Sequence, residues 1–411
     1  GSGSDLDALV GEVENGLLEF SFFTQDDDLF MQIYRMALAE SAGFDSNSQL
    51  YAVAMEIDDL ASAEDEAAIA QLNLLGEMDG AQQNAELSQL YDRGTPSYMH
   101  MQGMFEGMRQ VQSRGVMPDT YWSIGPRGPQ GPHLYGEQAE FWVKGYGSWG
   151  SQDADGASSG FDQSVYGMVV GYDKAFGDLL MGLAGGYSSS SIDQDDGDTS
   201  DAGLGYGILY GSWGTLDWFA DASLAYGFGS VEGDSGTSFD ASSDTDLSEF
   251  GFYLGGGKEM VFREDTVFLT PTVAMLGGRY AQDGYTEKSS NSVGRKVEDY
   301  SRWSFQSDIG AELVFRKELD RSVLMPDVHA KWLHEFNTDE DSVGYRLVGG
   351  TGSYSYTMTA PVADLFEVGA GLSLWTANKG GSVYEFALGY DARFGSGYMA
   401  NILNARLNIE F

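Results

Sequence analysis

Residues 144–150 read KGYGSWG and contain GxGxxG at Gly145, Gly147 and Gly150. A nucleotide-phosphate loop of that spacing needs a strand before it, a helix opening on its last glycine and a carboxylate about 20 residues on, because the free amides of a helix N-terminus bind the anion. No helix can open here. The next residues are a polar loop, SQDADGASSG (151–160), and then FDQSVYGMVVGYDKAFG (161–177), which alternates apolar with small or polar residues. YGSWG recurs at 210–214 in similar surroundings. The glycines therefore read as strand residues, and the fold turns on what sheet they belong to.

From residue 138 to the C-terminus the chain reads in period two, rich in Gly, Tyr, Trp and Phe. About twelve strands are expected, near 139–151, 161–176, 178–192, 202–214, 216–230, 246–262, 266–281, 297–317, 322–337, 361–377, 381–395 and 398–411. Their connections alternate in length. FGD, WGTLD, FRED, KELDRS and TANKGGS are short, whereas the intervening ones, such as SSSSIDQDDGDTSD, are long and polar; only the last, FGSG, is short on the long side. An even number of strands with short turns at one end and long loops at the other predicts an all-β, up-and-down antiparallel transmembrane barrel.

The strand faces agree. Trp218, Ala220, Ala222, Leu224, Tyr226 and Phe228 share one side of the fifth strand, opposite Asp221 and Ser223. Trp303, Phe305, Ile309 and Leu313 oppose Gln306, Asp308 and Glu312 in the eighth, and Val328, Ala330 and Trp332 oppose Asp327, His329 and Lys331 in the ninth. A soluble barrel would carry many charges on the second face; here Gly, Ser and Ala dominate it, as a crowded lumen requires. Parity assigns Lys144, Asp221, Asp308, Glu312, His329, Lys331, Glu367, Glu385, Arg393 and Arg406 to that lumen. Trp142, Trp149, Trp213, Trp218, Trp303, Trp332 and Trp375 lie near strand ends and are expected in interfacial girdles, with ordinary burial as the alternative for each.

Totals bound the function. A net charge of −41 over 411 residues argues against nucleic acid, since phosphate contacts need clustered Lys and Arg. There is no cysteine, hence neither disulfide nor thiolate chemistry. No apolar run is long enough for a helical membrane span, which leaves strands as the only way across. GSGS at 1–4 reads as a cloning tag, and no signal peptide follows it.

Before residue 138 the pattern changes. Residues 5–45 contain GLLEFSFFTQDDDLFMQIYRM, which reads as a β-hairpin turning at QDDD. Residues 46–115 read as a helical linker, with helices near 47–62, 63–76, 80–92 and 96–114. In the last of these Met101, Phe105 and Met108 wind around most of the helix, with Arg109 and Arg114 interspersed, as in a helix buried all round. Residues 116–137 carry Pro and Gly that predict an extended tether.

The segment EFWVKGYGSWGSQDADGASSGFDQSVYGMVVGYDKAFGDLLMGLAGGYSSSSID, the late strand LMPDVHAKWLHEF and the helical NSQLYAVAMEIDDLASAEDEAAIAQL with MFEGMRQVQSRG together resemble the translocation units of classical autotransporters, the type V secretion proteins. The resemblance implies a twelve-stranded outer-membrane barrel at 138–411, a pore helix at 96–114 and a short remnant of the passenger at 5–45. It also implies a passenger carried and anchored by its own barrel, outer-membrane lipid, the barrel assembly machinery and periplasmic chaperones as partners, and a monomer. Leu403, Ala405, Leu407, Ile409 and Phe411 alternate up to the terminal aromatic and resemble the family's assembly signal. Some autotransporters cleave the passenger inside the barrel at a helix Asn beside a lumenal carboxylate; 96–114 contains no Asn, so an uncleaved passenger, or cleavage elsewhere, is expected.

No GxSxG, HExxH or zinc-ligand spacing is present, so no catalytic residue, metal or cofactor is expected. DQDDGDTSD at 193–201 lacks the register of a calcium loop and reads as solvated surface. His329 and His334 read as satisfied polar contacts. Two other functions stay open: a porin or small-solute channel with the N-terminal region as a periplasmic domain, and an adhesin acting through the acidic loops.

Overall fold

The computed structural model describes residues 12–410, apart from 16, 26–27, 93, 113–121, 126–127, 133–138, 155–158, 215–217, 263–265, 320–321 and 378–382. Arg114, Phe411, the tag at 1–4 and most of the expected tether lie outside these residues.

Twelve long strands form one antiparallel sheet: β1 (Ala139–Gln152), β2 (Phe161–Phe176), β3 (Leu179–Gln194), β4 (Thr199–Gly214), β5 (Trp218–Asp234), β6 (Ser242–Lys258), β7 (Val267–Gln282), β8 (Tyr300–Phe315), β9 (Ser322–Glu335), β10 (Asp364–Ala377), β11 (Val383–Gly395) and β12 (Tyr398–Glu410). Short segments at Met260–Phe262 and Lys317–Glu318 extend it. Each strand pairs with its sequence neighbour, and β12 returns to β1 in continuous register from Tyr398↔Gln152 to Glu410↔Glu140. Closure satisfies every edge, which hydrocarbon would otherwise leave without partners. KGYGSWG is the middle of β1, the strand that makes this seam.

Exposure alternates along the strands with the pleat. In β5, Trp218, Ala220, Ala222, Leu224, Tyr226 and Phe228 are exposed while Asp221 and Ser223 are buried. Leu183, Phe228 and Leu388 are 66%, 71% and 66% exposed, in an apolar belt that water would penalise and lipid accepts. Trp149, Trp213, Trp218, Trp303 and Trp332 face outwards, but Trp142 and Trp375 do not: both are buried on the inner face. The girdle expectation fails for these two because face follows parity, and position 142 shares its parity with lumenal Lys144. Trp142 donates to Tyr210 Oη (2.9 Å) and Asp173 Oδ2 (3.1 Å), and Trp375 joins Phe268, Val314, Val323, Met325 and Val383 in an apolar layer at the turn end of the lumen.

The opposite end is built up. The long loops contribute a four-stranded sheet, Tyr285–Thr286, Arg295–Val297, Asp341–Leu347 and Tyr354–Met358, paired in that order. Upstream of the barrel, a three-stranded sheet (Glu12–Asn15, Leu18–Gln25, Asp28–Arg35) leads into α1 (Leu38–Ser41), α2 (Gln49–Ser62), α3 (Glu66–Leu75) and α4 (Gly80–Asp92). Ser48 and Asp65 cap α2 and α3, accepting from the amides of Tyr51 and Ala68. Read from sequence as a linker, α2–α4 instead pack on the loop sheet and share a core with it: Val53, Ile57, Leu72, Leu75, Leu87 and Tyr91 meet Val293, Val297, Tyr345 and Tyr356. Sequence hid this because the surface these helices cover comes from loops some two hundred residues away. Tyr91 Oη donates to the Val293 carbonyl (2.6 Å), Tyr345 Oη to the Tyr91 carbonyl (2.7 Å), and Glu56 accepts from Thr351 N (2.6 Å) and Gly352 N (2.8 Å).

From this cap the chain enters the barrel as a 3-10 turn, Ser97–Met101, followed by α5 (Gln102–Gln112). Their combined rise, about 27 Å, matches the roughly 25 Å belt of an outer-membrane barrel. Within the stretch expected to be an extended tether, Trp122–Gly125 pairs with Gly128–Pro132.

The plugged lumen as candidate functional site

The inner face of the barrel is a shell around α5. Met101, Met104, Phe105, Met108 and Val111 are buried with wall residues Tyr146, Val165, Val169, Tyr206, Ile208 and Leu276 in one apolar cluster. The fit relies on missing side chains. A Cβ on Gly107 would stand 2.3 Å from Tyr206 Oη, and one on Gly103 would stand 2.5 Å from Ser188 Oγ, so the helix rests directly on the wall at these two positions, four residues apart on one face.

Polar contacts fix depth and rotation. At the loop end, His100 reaches Ser190 Oγ (2.5 Å) and Ser200 Oγ (2.9 Å), and Gln163 Nε2 donates to the Met99 carbonyl (2.9 Å). Midway, Tyr146 Oη donates to the Gly103 carbonyl (2.7 Å) and lies 2.9 Å from Tyr206 Oη. Towards the turn end, Arg109 donates to Gln306 Oε1 (2.7 Å) and pairs with Asp308 (3.6 Å), while Lys144 donates to the Gln110 carbonyl. Glu106 accepts from Gln110 (2.9 Å) and faces Arg393 at 3.7 Å.

Beside α5 lies a polar cavity of about 190 Å³. Lys144, Asp308, Glu312, His329, Lys331, Glu367, Arg393 and Arg406 border it; Asp221 and Glu385 do not, Glu385 lying buried with Arg406 as its partner. Glu367 accepts from Lys331 (3.1 Å) and from Arg393 (2.6 Å), a buried network whose charges are compensated within the wall. Asp327, placed on the polar face of its strand above, lines the same cavity, as do Asp391 and Asn404, which the lumenal set leaves out. Parity along β11 and β12 was the signal that could have found those two. Glu106 carried no such signal, since its partner depends on how deep the helix sits. His334 lies outside the cavity, with Nδ1 2.8 Å from Asp364 at the rim.

On β12, Leu403, Ala405 and Leu407 are exposed and Ile409 is half-buried, opposite the buried Arg406 and Asn408.

A family profile described as "Autotransporter beta-domain" matches residues 141–385. The chain belongs to that family. It is an outer-membrane translocator barrel of a Gram-negative bacterium. An extracellular serine protease of Serratia marcescens is 22% identical over 281 residues, covering 66% of this chain and 26% of that protein. Outer membrane protein A of Rickettsia rickettsii is 21% identical over 308 residues, covering 69% of this chain and 13% of the relative. This β-domain chain thus spans about a quarter or less of those relatives' length. Among solved structures, the translocator domain of NalP from Neisseria meningitidis superposes with a TM-score of 0.56 at 13% identity, covering 77% of this chain and 97% of that one. The transport unit of AIDA-I from Escherichia coli gives 0.50 at 16% identity, covering 66% and 90%. Both show the same fold as this autotransporter β-domain.

Proposed function

We propose that this β-domain helps export, and then anchors, a passenger attached at its own N-terminus, and that it acts as a monomer without carrying out chemistry itself. One observation carries the reading: the chain passes through its own barrel, with α5 in the lumen and the upstream residues emerging among the long loops. In outer-membrane barrels long loops face the cell exterior and short turns the periplasm. A segment seated this way marks the path a passenger takes. The same placement speaks against a porin with a periplasmic N-terminal domain, because the helices α2–α4 sit at the loop end.

We attribute the driving force to folding of the passenger outside, in keeping with a sequence that carries no phosphate-loop motif. The barrel assembly machinery and periplasmic chaperones supply insertion, with the alternating residues Leu403, Ala405, Leu407, Ile409 and Phe411 as the recognised segment. α5 contains no Asn, which supports an uncleaved link between cap and barrel.

Single-channel recording in planar bilayers tests this. The full chain is expected to conduct little, and deletion of residues 96–135 to open a steady pore. Equal conductance before and after the deletion would return the reading to a porin.

A further inference from the structure

Four neighbouring strands bring a histidine among carboxylates on one row of the lumen. Glu312 on β8 is paired in register with His329 on β9, His329 with Gly369 on β10, and Gly369 with Asp391 on β11. The absent side chain at Gly369 lets the row close: a Cβ there would stand 2.1 Å from Asp391 Oδ1 and 2.5 Å from His329 Nε2. Across that gap His329 Nε2 lies 2.9 Å from Asp391 Oδ1. Gly371 makes the same room for Asp327, whose Oδ2 would be 2.2 Å from an added Cβ.

For Nδ1 to offer a lone pair the ring proton must sit on Nε2, on the side of the Asp391 carboxylate. Nδ1 faces Asp327 Oδ1 at 3.8 Å, beyond hydrogen-bonding range. That spacing is close to what a shared ion imposes, since two ligand atoms each about 2.0–2.1 Å from a tetrahedral zinc stand about 3.4 Å apart. Glu312 completes a trio whose ligand atoms lie within 4.8 Å of one another. Asp327 is only 8% exposed and borders the cavity, with His329 Nδ1 as its ion-pair neighbour. Glu367 stands nearby but is committed to Lys331 and Arg393. Around the cavity six carboxylates face five permanent cations, so the lining does not repel a cation.

We propose that Glu312, Asp327 and His329 form a divalent-cation site in the barrel lumen, with His329 Nδ1 and one oxygen of each carboxylate as ligands and Asp391 orienting the imidazole from behind. An imidazole with two carboxylates suits zinc rather than calcium or magnesium, which take oxygen ligands, and a fourth position is left for water.

The test uses the full chain refolded in detergent, dialysed free of metal and titrated calorimetrically with Zn²⁺. Excess Ca²⁺ is present throughout to occupy the acidic loops. One calcium-resistant zinc per chain is expected. It should be lost in Asp327→Asn and in His329→Gln, and bound roughly 10–100-fold more weakly in Asp391→Asn. Heat-modifiable migration on gels verifies that each variant is a closed barrel, and Glu312→Gln stands in if the His329 change impairs assembly. Absence of calcium-resistant zinc in the wild-type chain, or binding undiminished in folded Asp327→Asn and Glu312→Gln, overturns the assignment.

Discussion

Glu367 shows what a single lumenal residue contributes. Its carboxylate balances Lys331 and Arg393 in a wall where only 4% of its own surface is exposed. In Glu367→Gln Lys331 loses its hydrogen-bonded carboxylate and Arg393 keeps only the longer contact to Glu106 (3.7 Å), and destabilisation by about 3 kcal/mol is expected, because an uncompensated buried charge costs more than the intact pair contributes. Guanidinium unfolding in detergent, followed by tryptophan fluorescence, measures it; an unchanged midpoint would show that solvent already screens the network. Outside the membrane, Asp240 joins two loops by accepting from the Ser290 amide (2.9 Å), the Ser290 hydroxyl and the Ser289 hydroxyl (2.7 Å). Donation from Ser290 and then Ser289 lowers its pKa from the ordinary 3.8 to about 2. A depressed acid stabilises the folded loops fully above its unfolded pKa and loses that contribution as pH falls. Hydrogen exchange at the Ser290 amide is therefore expected to accelerate between about pH 4 and pH 2 relative to neighbouring amides, and Asp240→Asn to abolish the step.

For single elements, α5 and the strands differ in how far sequence exposed them. Each barrel strand was legible, within a few residues at its ends, because lipid on one side and a packed lumen on the other enforce period two over some 13–17 residues. Arg295–Val297 and Tyr354–Met358 were not, since strands this short leave no repeating pattern and pair with partners far away in sequence. Parity along the strands assigned a lumenal polar set, but no such signal gives the height of α5 inside the barrel: nothing local to Glu106 or Arg109 names Arg393 or Asp308 as the residue opposite. The helix's own requirement is a smooth face at Gly103 and Gly107. Gly107→Leu would drive a side chain into Tyr206 and should unseat α5, raising bilayer conductance towards that of the deletion, whereas Gly107→Ala should give a smaller rise. On the outer face, Leu224→Arg at mid-strand is expected to cost about 2–4 kcal/mol of barrel stability by equilibrium unfolding into lipid vesicles, and the same change at a rim position close to nothing.

At the scale of the whole chain, one thread connects two of the cores found among the described residues. The first lies inside the barrel around α5; the second lies outside it, where α2–α4 meet the sheet made by the long loops. Since the second core joins upstream helices to parts of the barrel itself, tension applied to the N-terminus reaches it before it reaches the lumen. Tyr91, Glu56 and their loop partners would bear a pull from outside, leaving Arg109 and Glu106 unloaded until those contacts rupture. In an optical trap, pulling from residue 12 with the barrel held in a supported bilayer should give an early rip as the helices leave the loops, and a later one as α5 slides. The external core thus works as a strain relief, of the kind that keeps a tugged cable from pulling on its socket.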